Sequence, residues 1–178
     1  MKITNQILIA AIALAFIFST NAAAQKSNEK AFAAMKADHA ATLKTWLKTK
    51  PNFRLAIEAD CTNEDGLKLE RNENKTYVPY YFAGNFNGDQ DADFAVALVN
   101  TKKRGAEKFA VLIFNGSKTG FAQAHYQTDL DLREMGFFLF GENPEYLSVG
   151  EFQTDNCTLF KWNGKKYDAL YCEEIFDN

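Results

Sequence analysis

After Thr76 the chain alternates between short strand-like runs and turn signals, and that rhythm limits the fold more than any other feature. The runs span Tyr77 to Ala83, Asp93 to Asn100, Lys108 to Phe114, Phe121 to Tyr126, Gly136 to Phe140, Tyr146 to Phe152, Cys157 to Trp162 and Lys166 to Cys172. Asn115-Gly116, Asn143-Pro144 and Asn163-Gly164 mark turns, because Asn and Gly accept the positive φ angles that tight turns demand. Short runs with short links pair with their neighbours, so a mostly antiparallel, meandering β-sheet is expected. Glycine use sets this region apart: all ten glycines lie at Gly66 or later. Upstream, Phe32, Met35, His39, Leu43, Trp46 and Leu47 recur at three- and four-residue spacing, the mark of an amphipathic helix over about residues 27–49. Ser27 or Asn28 caps its start and Pro51 ends it. Phe53, Leu55 and Ile57 alternate as in a half-buried strand, and Thr62 to Leu69 allows a helical turn. An N-terminal helix packed on a β-rich region of about 76–173 makes the fold class α+β.

Lys2, the apolar run from Ile7 to Phe18 and the small residues Ala22-Ala23-Ala24 form the pattern of a secretory signal peptide over residues 1–24. The run is too short to span a bilayer. With cleavage after Ala24, residues 25–178 form a single α+β domain that buries roughly two-thirds of its unfolded surface. The expected location is the periplasm or the outside of the cell, with no membrane span in the mature chain. Without Lys2, 19 of the 20 Lys and Arg residues remain against 23 Asp and Glu, a net charge of −4. The Lys102-Lys103-Arg104 triplet reads as a solvated hairpin loop, so nucleic acid is not an expected partner.

The chemically pointed segment is Gly84-Asn85-Phe86-Asn87-Gly88-Asp89-Gln90-Asp91-Ala92-Asp93-Phe94. Oxygen-bearing side chains at Asn85, Asn87, Asp89, Asp91 and Asp93 alternate on a Gly-containing loop, an arrangement that can fold around one calcium ion. It is not an EF-hand: the places for glycine six and glutamate twelve hold Gln90 and Val96. Asn85, Asn87, Asp89 and Asp93 would give side-chain oxygens and Asp91 its backbone carbonyl. So little ligand charge implies weak affinity, roughly 10⁻⁴–10⁻³ M. A metal-free turn selects similar residues, since Asn and Asp side chains bond nearby backbone groups. A carboxylate cluster for catalysis is the third reading. The stretch resembles the calcium loops of FG-GAP and VCBS-type repeats, whose pattern Asn87, Gly88, Asp89, Asp93 and Phe94 match, with Asn85 where those loops carry Asp. The resemblance implies a calcium loop at a strand entry. It covers about a dozen residues, and the chain cannot hold the four or more blades of a propeller. More broadly the chain resembles small exported bacterial proteins of unknown function, which implies class and location but no activity.

Tyr80, Gly84, Phe86, Asp89 and Phe94 recur 66 positions later as Tyr146, Gly150, Phe152, Asp155 and Phe160, a faint internal echo. Export permits disulfides. A two-residue turn at Asn163-Gly164 sets Cys157 opposite Leu170 and leaves Cys172 diagonal at roughly 7–8 Å. Cys157–Cys172 is the favoured pair, with a bridge to Cys61 or none as alternatives. His39 reads as a core-edge residue and His125 as a strand end. Asp129, Asp131 and Glu134 read as a solvated loop. The aromatic face of Phe160, Trp162, Tyr167 and Tyr171 reads as core beneath a helix. No nucleophile elbow, zinc-helix motif, phosphate loop or dinucleotide fingerprint appears, so no catalytic residue is assigned. The chain reads as an exported β-rich binding or structural module, possible calcium included, with a protein or glycan partner in the envelope or outside the cell. The alternative is a small periplasmic inhibitor or immunity-like protein with an acidic surface.

Overall fold

Two antiparallel sheets and a helix stack in three layers. The computed structural model describes residues 28–140 and 146–172; the signal-like segment and the Asn143-Pro144 turn lie outside the described residues. The first sheet holds β1 (Phe53–Leu55), β2 (Tyr81–Gly84), β3 (Asp93–Asn100), β4 (Phe109–Ser117) and β5 (Gly120–Leu130). β1 and β2 share one edge of β3, pairing with its two ends at Leu55↔Leu98 and Gly84↔Asp93. The second sheet is the meander β6 (Met135–Phe140), β7 (Tyr146–Glu151), β8 (Cys157–Trp162) and β9 (Tyr167–Tyr171). One continuous meander was the expectation. Instead the chain starts a new sheet after β5, and the two sheets face each other.

Alternation along β3 and β4 decides what meets what. Phe94, Val96, Leu98, Ala110, Leu112 and Phe114 pack with Met35, Ala40 and Leu43 of the helical layer. Their neighbours Ala95, Ala97, Val99, Phe109, Val111 and Ile113 pack with Phe137, Leu147, Val149, Phe160 and Tyr167 of the second sheet. Both faces of β3 and β4 are covered, which is why these strands are apolar almost throughout. The aromatic face of the last hairpin is therefore core beneath the other sheet, not beneath a helix. Tyr171, at its end, is exposed.

The expected helix is divided. Residues 28–33 are helical, the chain extends at Lys36 (φ −59°, ψ 145°), and α1 runs from Ala37–Lys48. The Lys36 N–H, which continuous helix would direct up its own backbone, donates to the Tyr81 hydroxyl at 3.2 Å. A second helix, α2 (Glu64–Glu73), is longer than the single turn expected. Asn63 caps it by accepting from the Gly66 N–H at 2.9 Å.

Two turn readings are corrected. Asn115-Gly116 lies inside β4, and that hairpin turns instead between Ser117 and Gly120. The last hairpin pairs Trp162 with Tyr167 across a four-residue loop closed by the Asn163 N–H on the Lys166 carbonyl. That loop shifts the register by two, so Cys172 lies opposite Cys157, to whose carbonyl its N–H donates. The pair forms a disulfide with Cα atoms 5.3 Å apart, and Cys61 is free and buried.

Candidate functional site

The Asn85–Asp93 segment is the connection of the β2–β3 hairpin, closed by the Gly84↔Asp93 pair. Its side chains divide by depth. Phe86 is fully buried and joins the core between the sheets, while Gly88, Asp89 and Gln90 are exposed. Gly88 (φ 77°) and Gln90 (φ 76°) both take left-handed backbone, the two kinks that reverse the chain.

Asn85, Asn87 and Asp89 each close a short turn. The Asn85 Oδ1 accepts from the Gly88 N–H at 2.9 Å, the Asn87 Oδ1 from the Asp89 N–H at 3.0 Å, and the Asp89 Oδ1 from the Asp91 N–H at 2.9 Å. The Asn87 Nδ2 also donates to the Asp89 Oδ2 at 2.8 Å. The first three bonds each satisfy a backbone donor that a reversing chain would otherwise leave open.

Asp93 behaves differently. It is 0% exposed. Its Oδ2 accepts from the Phe86 N–H at 2.8 Å and the Asn87 N–H at 3.2 Å, and its Oδ1 accepts from the Gly116 N–H at 2.8 Å. One carboxylate thus ties the start of the turn to the far end of β4. Burial pushes its carboxyl up to about 6 from 3.8, with the Asp89 charge adding to the rise, while the three backbone donors pull the other way. Gly116 is required by closeness: a Cβ there would lie 2.1 Å from the Ala92 carbonyl oxygen. Asn115 meets the same corner, its Oδ1 accepting from the Tyr167 hydroxyl at 2.7 Å. Sequence reasoning missed Phe86, Asn115 and Gly116 as parts of the site. The available signal is an Asn-Gly pair ending an otherwise apolar run, a pattern that reads equally as a turn.

The donor set admits a cation on limited terms. Asp89 is exposed and Asp91 half-buried, and Asn87 and Asp89 keep second lone pairs beyond the bonds above. The Asp93 Oδ2 is taken by two donors, leaving that residue at most one lone pair on Oδ1. Among the described residues, no group of three or more His, Cys, Asp or Glu side chains converges to hold a metal ion. Any cation here would rest on Asn oxygens, Asp89 and backbone carbonyls.

The other candidates are committed elsewhere. His39 is 1% exposed and stacks on Phe94 with ring centroids 4.3 Å apart. The Tyr81 hydroxyl accepts from Lys36, so its own proton is available to the His39 Nδ1 at 2.9 Å. Burial holds His39 below its ordinary value, against the charge of Asp38. His125 is not a strand end: it pairs with Ile113 within β5, and its ring lies 5.0 Å from that of Phe160. Asp129 is ion-paired with Lys103, and Asp131 holds Arg133 at 2.7 and 2.9 Å. No protein-family model, curated protein or solved structure matches this chain.

Proposed function

We propose that this chain is an exported β-rich module that acts by binding or structural support rather than by catalysis. In it the 85–93 turn is a rigid corner made internally, and calcium is an accessory to it. The observation that carries the reading is the Asp93 carboxylate, buried and tied to three backbone N–H groups, two in the turn and one in β4. Calcium would sit on Asn85, Asn87, Asp89 and the Asp91 carbonyl and supply only added stiffness. With a dissociation constant near 1 mM, 5 mM calcium stabilises the fold by about 1 kcal/mol. The expected effect is a rise in melting temperature of about 2–4 °C that Asp89→Ala abolishes. No shift at 5 mM calcium would remove the ion from the account, and a rise above about 10 °C would make it the principal support.

A further inference from the structure

A cleft of about 1010 Å³ opens between the 28–34 segment and α2, a volume at the upper end of small-molecule sites, roughly 300–1,000 Å³. Its base is apolar, formed by Ala56, Leu67, Val78 and Pro79 with the Cys61 thiol and the Tyr80 ring. Neither polar atom of that base is an anion. Burial pushes the Cys61 thiol up, and the Tyr80 hydroxyl donates to the Leu132 carbonyl at 2.9 Å.

The walls are cationic. Lys30 comes from the leading helical segment, Lys68 from α2 and Lys75 from just beyond it, and all three are exposed. Among the described residues none of the three forms an ion pair. Arg71 is committed to Glu58 through bonds of 2.6 and 2.8 Å. The Glu58 carboxyl is held below its ordinary value, first by that hydrogen bond and also by the charge of Lys30. Both cations therefore approach one carboxylate, and Glu64 is the single acidic side chain of the lining outside that cluster. In a chain of net charge −3, so local a surplus of positive charge over an apolar base has a chemical complement.

We propose that this cleft binds a single-chain amphipathic anion, its tail along Ala56, Leu67 and Val78 and its headgroup among Lys30, Lys68 and Lys75. The proposal gives the binding reading above a ligand class. The cleft and the 85–93 turn share no residue, so its failure leaves the calcium test untouched.

Isothermal titration of the full chain with dodecanoate and with dodecyl phosphate tests it, the relative affinities identifying the preferred headgroup. Saturable one-to-one binding of either is expected, with dodecyltrimethylammonium bound at least about tenfold more weakly. The Lys68→Glu/Lys75→Glu double variant should weaken the anion about tenfold, the sum of two exposed charge contacts. Ala34→Trp, which fills the cleft from its rim, should abolish binding while circular dichroism stays unchanged. Equal binding of the cationic analogue, or affinity unmoved by the lysine reversals, would overturn the proposal. So would the absence of saturable binding, including the case in which the chain's own leading residues occupy the cleft. Co-sedimentation with phosphatidylglycerol vesicles without saturable dodecanoate binding would make the face a membrane contact and equally overturn it.

Discussion

A carboxylate with no exposed surface is costly to keep charged unless its oxygens are taken up, and at Asp93 three backbone donors offset part of that cost. Its carboxyl titrates at about 6 in the fold against an ordinary 3.8. Its contribution to stability is therefore fully present below about pH 3.8 and is lost as pH rises through about 6. Asp93→Asn should cost more at about pH 4.5 than at about pH 7.5, by about 2 kcal/mol, in urea denaturation. His39 carries the opposite sign. Its folded value lies below 6.5, so its contribution is present above pH 6.5 and is lost as pH falls. His39→Phe should accordingly cost more at about pH 7.5 than at about pH 5. Pairs of denaturation curves check both slopes, and a cost independent of pH in either variant contradicts the burial argued for it. Gly116 supplies a third residue-level test. With only 2.1 Å between a new Cβ and the Ala92 oxygen, Gly116→Ala should destabilise by roughly 1–3 kcal/mol.

At the scale of elements, the last hairpin shows how a small change in turn length decides a covalent bond. A two-residue turn would leave Cys172 diagonal to Cys157, whereas the four-residue loop sets them opposite with Cα atoms 5.3 Å apart. The bridge closes a loop of 15 residues' separation, so replacing both cysteines by serine should lower stability by about 3 kcal/mol. Peptide mapping under non-reducing conditions should find Cys157 joined to Cys172, with Cys61 alkylated only after unfolding. A crosslink containing Cys61 would contradict the register. The bounds of β3 were legible because it is a dense apolar run ended by polar residues, and those of β8 because Asn156 and the Asn163-Gly164 turn flank it. Asn115-Gly116 misled because the same dipeptide serves a tight turn and, as here, a close backbone contact within a strand. The break at Lys36 was hidden because the hydroxyl that accepts its freed N–H, that of Tyr81, lies 45 positions away. The echo at 66 residues falls on two hairpins, β2–β3 and β7–β8, and Phe86 and Phe152 both enter the core between the sheets.

The described residues place α1, the five-stranded sheet and the four-stranded sheet in sequence through space, with Leu67 of α2 in the core between the sheets. Periodicity indicated the α+β class and the antiparallel pairing. It carried no signal for the division into two sheets, because an apolar strand face reads the same whether a helix or another sheet covers it. The candidate site was legible as an oxygen-rich turn. The direction in which its last carboxylate points was not, since alternation gives spacing and not depth. That inward carboxylate, at the start of β3, joins the turn to β4 in one corner, so the account requires the corner to be firm without metal. Amide hydrogen exchange at Phe86, Asn87 and Gly116 in the presence of a calcium chelator tests this most directly. The account predicts slow exchange at all three in the unmodified chain and fast exchange at all three in Asp93→Asn. Fast exchange in the unmodified chain that slows only when calcium is added would contradict it.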